Sequence, residues 1–267
     1  MPWTPLFQVD HNQKKINVLP KFDGQDPAAA VSAAFANLIT VAIAKDTFRC
    51  IGGRHSEPFA IPGSTYPVHL ERFAASLFGI TTRGAHMTAY TRTDSEMKIW
   101  VPRRSQNVGT WKGMLDSTVA GGVAADESPF ENIIREAAEE ASLPADLVRQ
   151  KTIAAGVLTY MGISKGENGW EPGMCLPDVV CVYDLELDTD VVPRPCDDEV
   201  KDFQLMAVKD VMEKMLGGEF KPNSAVIMLD FFVRHGIVKY EDERDFVEIM
   251  QRMHRKLPFP VHAGRRC

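Results

Sequence analysis

Three absences narrow the class of this 267-residue chain before any motif is considered. No apolar run is as long as a bilayer-spanning helix, and the nearest stretch, Ala28–Ala44, is broken by Ser32, Asn37 and Thr40. The start, Met-Pro-Trp-Thr-Pro, has neither a basic segment nor an apolar one, so no export signal is expected and the cytosol is the default compartment. Basic charge is also short. The net charge of −6 provides no stripe for a nucleic-acid polymer, although metal ions and a few arginines can reverse the sign locally.

Paired cysteines are lacking too. The five (Cys50, Cys175, Cys181, Cys196, Cys267) form no C-x-x-C pair and no histidine cluster at zinc spacing, and read as buried or free thiols in a reducing compartment. There is no internal repeat and no low-complexity tract. What remains, 45% hydrophobic and 25% charged, is the composition of a globular protein.

Residues 1–27 read as irregular and polar. Asp26-Pro27 opens a helix to about Lys45, with strand-like pieces at Thr47–Cys50 and Phe59–Ile61. Pro67–Phe78 reads as an amphipathic helix with Leu70, Phe73, Ala74 and Leu77 on one face. His86–Thr91 and Met97–Val101 pair across the turn Thr93-Asp94-Ser95-Glu96, and Thr152–Tyr160 and Val179–Leu187 flank a glycine-rich loop, Gly162–Gly173. Helical patterns follow at Val208–Leu216, Ser224–His235 (capped by Asn223 or Ser224) and Glu241–Lys256. The mixture predicts an α/β fold with a mixed sheet between helices.

The chemistry concentrates in Val119–Leu143. Ser128 is a good N-cap, Pro129 suits the first helical turn, and Glu131 completes a Ser-x-x-Glu box. On this helix Phe130, Ile134, Ala137, Ala138 and Ala141 share an apolar arc, with Ile133 at its border and Asn132, Glu136, Glu139 and Glu140 opposite. The spacing i, i+3, i+4 sets Glu136, Glu139 and Glu140 on one side, where three like charges repel unless a cation joins them. Oxygen-only ligands suit Mg²⁺ or Mn²⁺ better than zinc. Composition alone would make this a solvated surface helix.

The spacing alters that reading. Gly121, five residues, Glu127, seven residues, then Arg135-Glu136-Ala137-x-Glu139-Glu140 resembles the Nudix box, G-x5-E-x7-R-E-U-x-E-E-x-G-U. Ser142 departs from it where the box has glycine, and Ala137 is a small occupant of an apolar position. Leu77–Ile80, Gly84–His86, Trp100–Ser105, Thr110–Asp116, Asp197–Val200 and Leu229–Gly236 are similar to the fungal Nudix proteins called thiamine pyrophosphokinase-related. Val108 and Lys112 depart from that group's lysine and proline.

The resemblance implies a Nudix-type α/β/α sandwich at 86–267, preceded by a subgroup-specific α+β region at 1–85. It implies Mg²⁺-dependent cleavage of a small-molecule diphosphate, by extension of thiamine diphosphate or its oxidised analogues to the monophosphate. Glu136, Glu139, Glu140 and the Ala120 carbonyl are the implied metal ligands. Glu127 and Arg135 complete the acidic cluster, and the base is Glu136, Glu139 or Glu199. Arg103 and Arg104 are either a phosphate clamp or surface arginines, and His86 and Tyr90 either line the pocket or belong to the core. Type I isopentenyl diphosphate isomerase is also similar around His86 and Arg103-Arg104-Ser105. It needs a cysteine just before the glycine loop, where this chain has Ser117-Thr118-Val119-Ala120. A non-catalytic binding module would usually have lost box glutamates; all are kept here.

Overall fold

The structure is a computed structural model that describes residues 1–19, 24, 26–52, 57–93, 96–167 and 169–262. Its centre is a mixed sheet in the order β10-β6-β5-β9-β8, with β7 pairing β5 beside β6. These strands are β5 (Thr82–Arg92), β6 (Met97–Arg104), β7 (Val119–Gly122), β8 (Thr152–Lys165), β9 (Pro172–Glu186) and β10 (Val200–Ala207). Only β5 and β9 run parallel; the other pairs are antiparallel.

Alternation on β5 sends Ala85, Met87 and Ala89 to one face, where they pack with Ile133, Ile134 and Ala137 of α2 (Pro129–Ala141) and Val148 of α3 (Ala145–Lys151). On the opposite face Leu158, Val180 and Val182 meet Ile227 of α5 (Pro222–Arg234) and Met253 of α6 (Phe246–Met253). A third cluster sets α4 (Val208–Leu216) and Phe231 against Ile99 and Val101. Each large side chain fully buried in these layers contributes about 2 kcal/mol. The sheet lies between helices, as the mixed pattern predicts.

The N-terminal region differs more from expectation. Residues 1–19 are not irregular: β1 (Phe7–Asp10) and β2 (Lys15–Val18) form a hairpin, with Phe7 edge-on to Phe35. Helix α1 (Pro27–Ala44) starts where Asp26 accepts from the Ala29 amide. By length and composition α1 can cross a membrane, which the interrupting polar residues were expected to deny. Its Ala34, Leu38 and Ala42 are nevertheless buried in a second core with Val68, Leu70 and Ala74.

Thr47–Cys50 is turn rather than strand; β3 (Pro58–Ala60) pairs with β4 (His69–Glu71). The predicted helix over 67–78 is instead β4 followed by a 3₁₀ helix, Arg72–Phe78. Glu71 accepts from the Ala74 amide and so starts the helix five residues late, at Arg72. Trp170 and Met174 of the second half pack into this core, and β5 runs across the expected 85/86 boundary.

Smaller differences follow from caps and pairing. The β8–β9 pairing reaches Lys165 and Pro172, so half of the expected glycine loop is strand. Lys221 caps α5 in place of Asn223 or Ser224, because Pro222 takes the first helical position and the Ser224 hydroxyl is turned to Asp116. Residues 94 and 95 of the expected turn and Cys267 lie outside the described residues.

Candidate active site

Strand β7 delivers the chain to α2 through Gly121 and Gly122. A Cβ on Gly121 would collide with the Glu136 carboxylate and sit 2.7 Å from Asn132 Oδ1. Only glycine lets the strand lie this close to the helix. Helix α2 starts as predicted, with Ser128 Oγ accepting from the Glu131 amide at 3.2 Å. The reciprocal half of the expected box is missing, since Glu131 turns outward to Arg149 at 2.7 and 2.6 Å.

The buried face of α2 is rotated from the predicted arc. Ala138 is exposed, Ile133 is fully buried, and Asn132 and Glu140 are buried with it. Asn132 Nδ2 donates to the Gly122 carbonyl and to Glu127 Oε2, both at 2.8 Å. It fastens the glycine turn to the helix, a role the sequence reading missed by placing Asn132 on the charged face.

Arg135 gathers three carboxylates. It bonds Glu127 through Nε at 3.0 Å and Nη2 at 3.2 Å, Glu136 at 2.9 Å and Glu139 at 2.8 Å. This corrects the convergence expected of Glu136, Glu139 and Glu140. Glu139 is the i+4 neighbour of Arg135 and follows it toward solvent, whereas Glu140 is about 100° further round and turns inward. Among the described residues no three acidic, imidazole or thiol side chains are gathered as a complete ligand set.

Glu136 and Glu140 remain together under β7. Glu140 Oε2 accepts from the Ala120 amide at 3.3 Å. In the β5–β7 ladder that amide points away from β5, and the carbonyl of the same residue projects to the same open edge. Burial pushes the Glu136 carboxyl up to about 7, against the pull of Arg135 and with the push of Glu139 and Glu57. Burial also drives Glu140 well above the carboxylate range, reinforced by Glu136, Asp116 and Glu199 and opposed by the Ala120 amide. Burial would raise Glu127 as well, but Arg135 and Asn132 outweigh it and hold it low. A buried and a half-buried carboxylate beside an outward carbonyl, all oxygen and with one arginine shared among three carboxylates, fit a hard divalent cation.

Of the remaining candidates, His86 and Tyr90 take the core alternative and Glu199 is exposed, whereas the two arginines are held by the fold. Arg104 is spent inside the fold, bonding Asp116 at 2.9 Å and the Thr110 carbonyl, and Arg103 bonds the Gly113 carbonyl at 2.8 Å. Neither is a free outward clamp; both tie down the loop after β6. His86 is buried with Nδ1 2.9 Å from Ser117 Oγ. Burial, with Lys221, lowers its pKa to about 3 despite Asp116, so it is a neutral core group. Tyr90 is likewise core, edge-on to Phe231. Glu199 is exposed, its carbonyl accepting from Ser105 at 2.8 Å, near enough to act on Glu140. Asp116, Lys221 and Ser224 form a buried network that the sequence did not signal.

Residues 82–226 match the NUDIX domain family. The chain belongs to the Nudix family. An uncharacterised protein of Saccharomyces cerevisiae is 36% identical over 218 residues, 79% of this chain and 64% of its own. Nudix hydrolase 20 of Arabidopsis thaliana is 34% identical over 208 residues, 76% of this chain and 53% of its own. The chain thus spans under two thirds of the length of these two relatives. Among solved structures, the NUDIX domain of Shewanella oneidensis NrtR with ADP ribose overlays 61% of this chain and 92% of that one, at 15% identity and a TM-score of 0.45.

Proposed function

We propose that this Nudix chain hydrolyses the diphosphate linkage of a small molecule with the help of Mg²⁺, for which Mn²⁺ can substitute. The observation that carries the reading is the placement of Glu140 on the Ala120 amide and of Glu136 against Gly121 at the open β7 edge, where one arginine, Arg135, is shared by three carboxylates and Glu140 has no ion pair among the described residues. These two carboxylates and the Ala120 carbonyl would hold the ion, joined by Glu139 once it leaves Arg135. A bound divalent cation supplies charge neutralisation at the phosphorus and a more acidic water. Arg135 and Glu127 orient the carboxylates. The base is Glu136, Glu139 or Glu199, the last being exposed and free to face a bound substrate.

Thiamine diphosphate and its oxidised analogues, cleaved to the monophosphate, are the substrates proposed. Support comes from the subgroup resemblance and from Asp178 and Tyr160 at the same end of the sheet, a carboxyl and a phenol suited to a cationic heterocycle. The test is Mg²⁺-dependent phosphate release from thiamine, oxothiamine, nucleotide-sugar, ADP-ribose and dinucleotide diphosphates. The thiamine compounds should give the highest kcat/KM. A preference for another group overturns the substrate, and inactivity on all of them overturns the enzyme.

A further inference from the structure

Arg72 lies outside residues 82–226, in the N-terminal region, yet its guanidinium reaches the glycine pair of the Nudix box. A Cβ on Gly122 would sit 2.8 Å from Arg72 Cζ and 2.8 Å from Phe59 Cζ. Glu136 crowds Gly121 in the same way. Successive strand residues face opposite sides, so one edge of β7 carries a carboxylate on one face and a guanidinium on the other. The N-terminal region is fixed here by its backbone as well: the Ala125 amide donates to the Pro58 carbonyl at 2.9 Å.

The guanidinium is oriented but underused. It lies 5.4 Å from the Phe59 ring centre and 5.6 Å from that of Phe73, and Nη1 bonds Glu57 Oε2 at 3.2 Å. Among the described residues that is its one side-chain hydrogen bond, out of five N–H donors, and the side chain is 35% exposed. A rigid guanidinium with spare donors suits phosphate oxygens. Arg104, one of the two candidate clamp arginines, has no such freedom, because Asp116 and the Thr110 carbonyl hold it.

We propose that Arg72 binds a non-bridging oxygen of the substrate diphosphate across the β7 edge from Glu136, which makes the N-terminal region part of the active site. The inference rests on the diphosphatase reading, and its alternative is a structural ion pair with Glu57. Calorimetric titration with methylenediphosphonate and Mg²⁺ separates the two without requiring turnover. Arg72→Gln should raise Kd about tenfold or more, Arg72→Lys should recover part of that loss, and Glu57→Gln and the surface variant Arg149→Gln should stay within about threefold of wild type. Thermal unfolding of each variant checks the fold. Equal losses in Arg72→Gln and Glu57→Gln, an unchanged Kd in Arg72→Gln, or no binding by wild type would overturn the proposal. Arg72-dependent binding in a chain that hydrolyses no diphosphate would support it while removing the enzyme.

Discussion

Asp178 and Asp184 stand six positions apart on β9 and face the same side of the sheet, but their surroundings differ. Asp184 is buried against Arg234, which bonds both of its oxygens, and His235 adds a contact at 3.0 Å. Asp178 has hydroxyl partners instead, Thr82 at 3.0 Å and Tyr160 at 3.2 Å. The contrast extends across the molecule. At the C-terminal end of α5 the carboxylates are supplied with cations from within, and that end is closed. At the other end Arg135 is shared among Glu127, Glu136 and Glu139, Asp178 bonds hydroxyls, and Glu140 has no ion pair among the described residues. Folding gains nothing from such carboxylates. Their presence is understandable if something cationic arrives from solution.

Substitutions at the two ends should therefore fail in different ways. The largest effect belongs to Glu140→Gln, which should lower kcat/KM about a thousandfold and leave the metal-free protein no less stable. Steady-state rates together with urea midpoints check both halves; a stability loss equal to that at the closed end would erase the distinction. Next comes Asp184→Asn, which removes the two-oxygen partner of Arg234, leaves it Asp230 at 2.7 Å, and should cost about 2 kcal/mol of stability by urea unfolding, with kcat per folded molecule kept.

The third prediction concerns pH. Burial raises the Asp178 carboxyl from 3.8 to about 6, with Thr82 and Tyr160 opposing the shift. The folded state thus holds this proton longer than the unfolded chain. Its contribution to stability is complete below about pH 4 and is lost as pH rises to about 6. Asp178→Asn should lessen the fall of urea midpoints across that window, with Glu136 and Glu140 keeping the remainder, and an unchanged slope would contradict this. The smallest effect is expected at Ser142, which ends α2 with φ 54°, a left-handed conformation that glycine adopts more readily. Ser142→Gly should stabilise by about 0.5–1 kcal/mol, less whatever the hydrogen bond from Ser142 Oγ to the Arg194 carbonyl contributes. A destabilised variant would show that the hydrogen bond outweighs the strain.

The same contrast explains what the sequence revealed. Gly121, Glu127, Arg135, Glu136, Glu139 and Glu140 were legible because one loop and one helix fix their spacing, and because Ser128 and Pro129 mark the start of that helix. Local spacing did not reveal which polar residues tertiary packing buries. Asn132 and Ala138 exchanged expected places for that reason, and Arg104 turned inward because Asp116 waits there. The N-terminal hairpin and the 3₁₀ helix were missed because β1 and β2 alternate weakly and Glu71 competes for a helical amide. Arg72 was out of reach for a similar reason, since no local pattern joins it to a glycine pair fifty positions later.

The decisive measurement is a Mn²⁺ titration followed by electron paramagnetic resonance, on wild type and on Glu140→Gln. The account predicts saturable uptake by wild type, displaced by Mg²⁺ and weakened at least tenfold in the variant. Equal uptake by both proteins, or none by wild type, would contradict it.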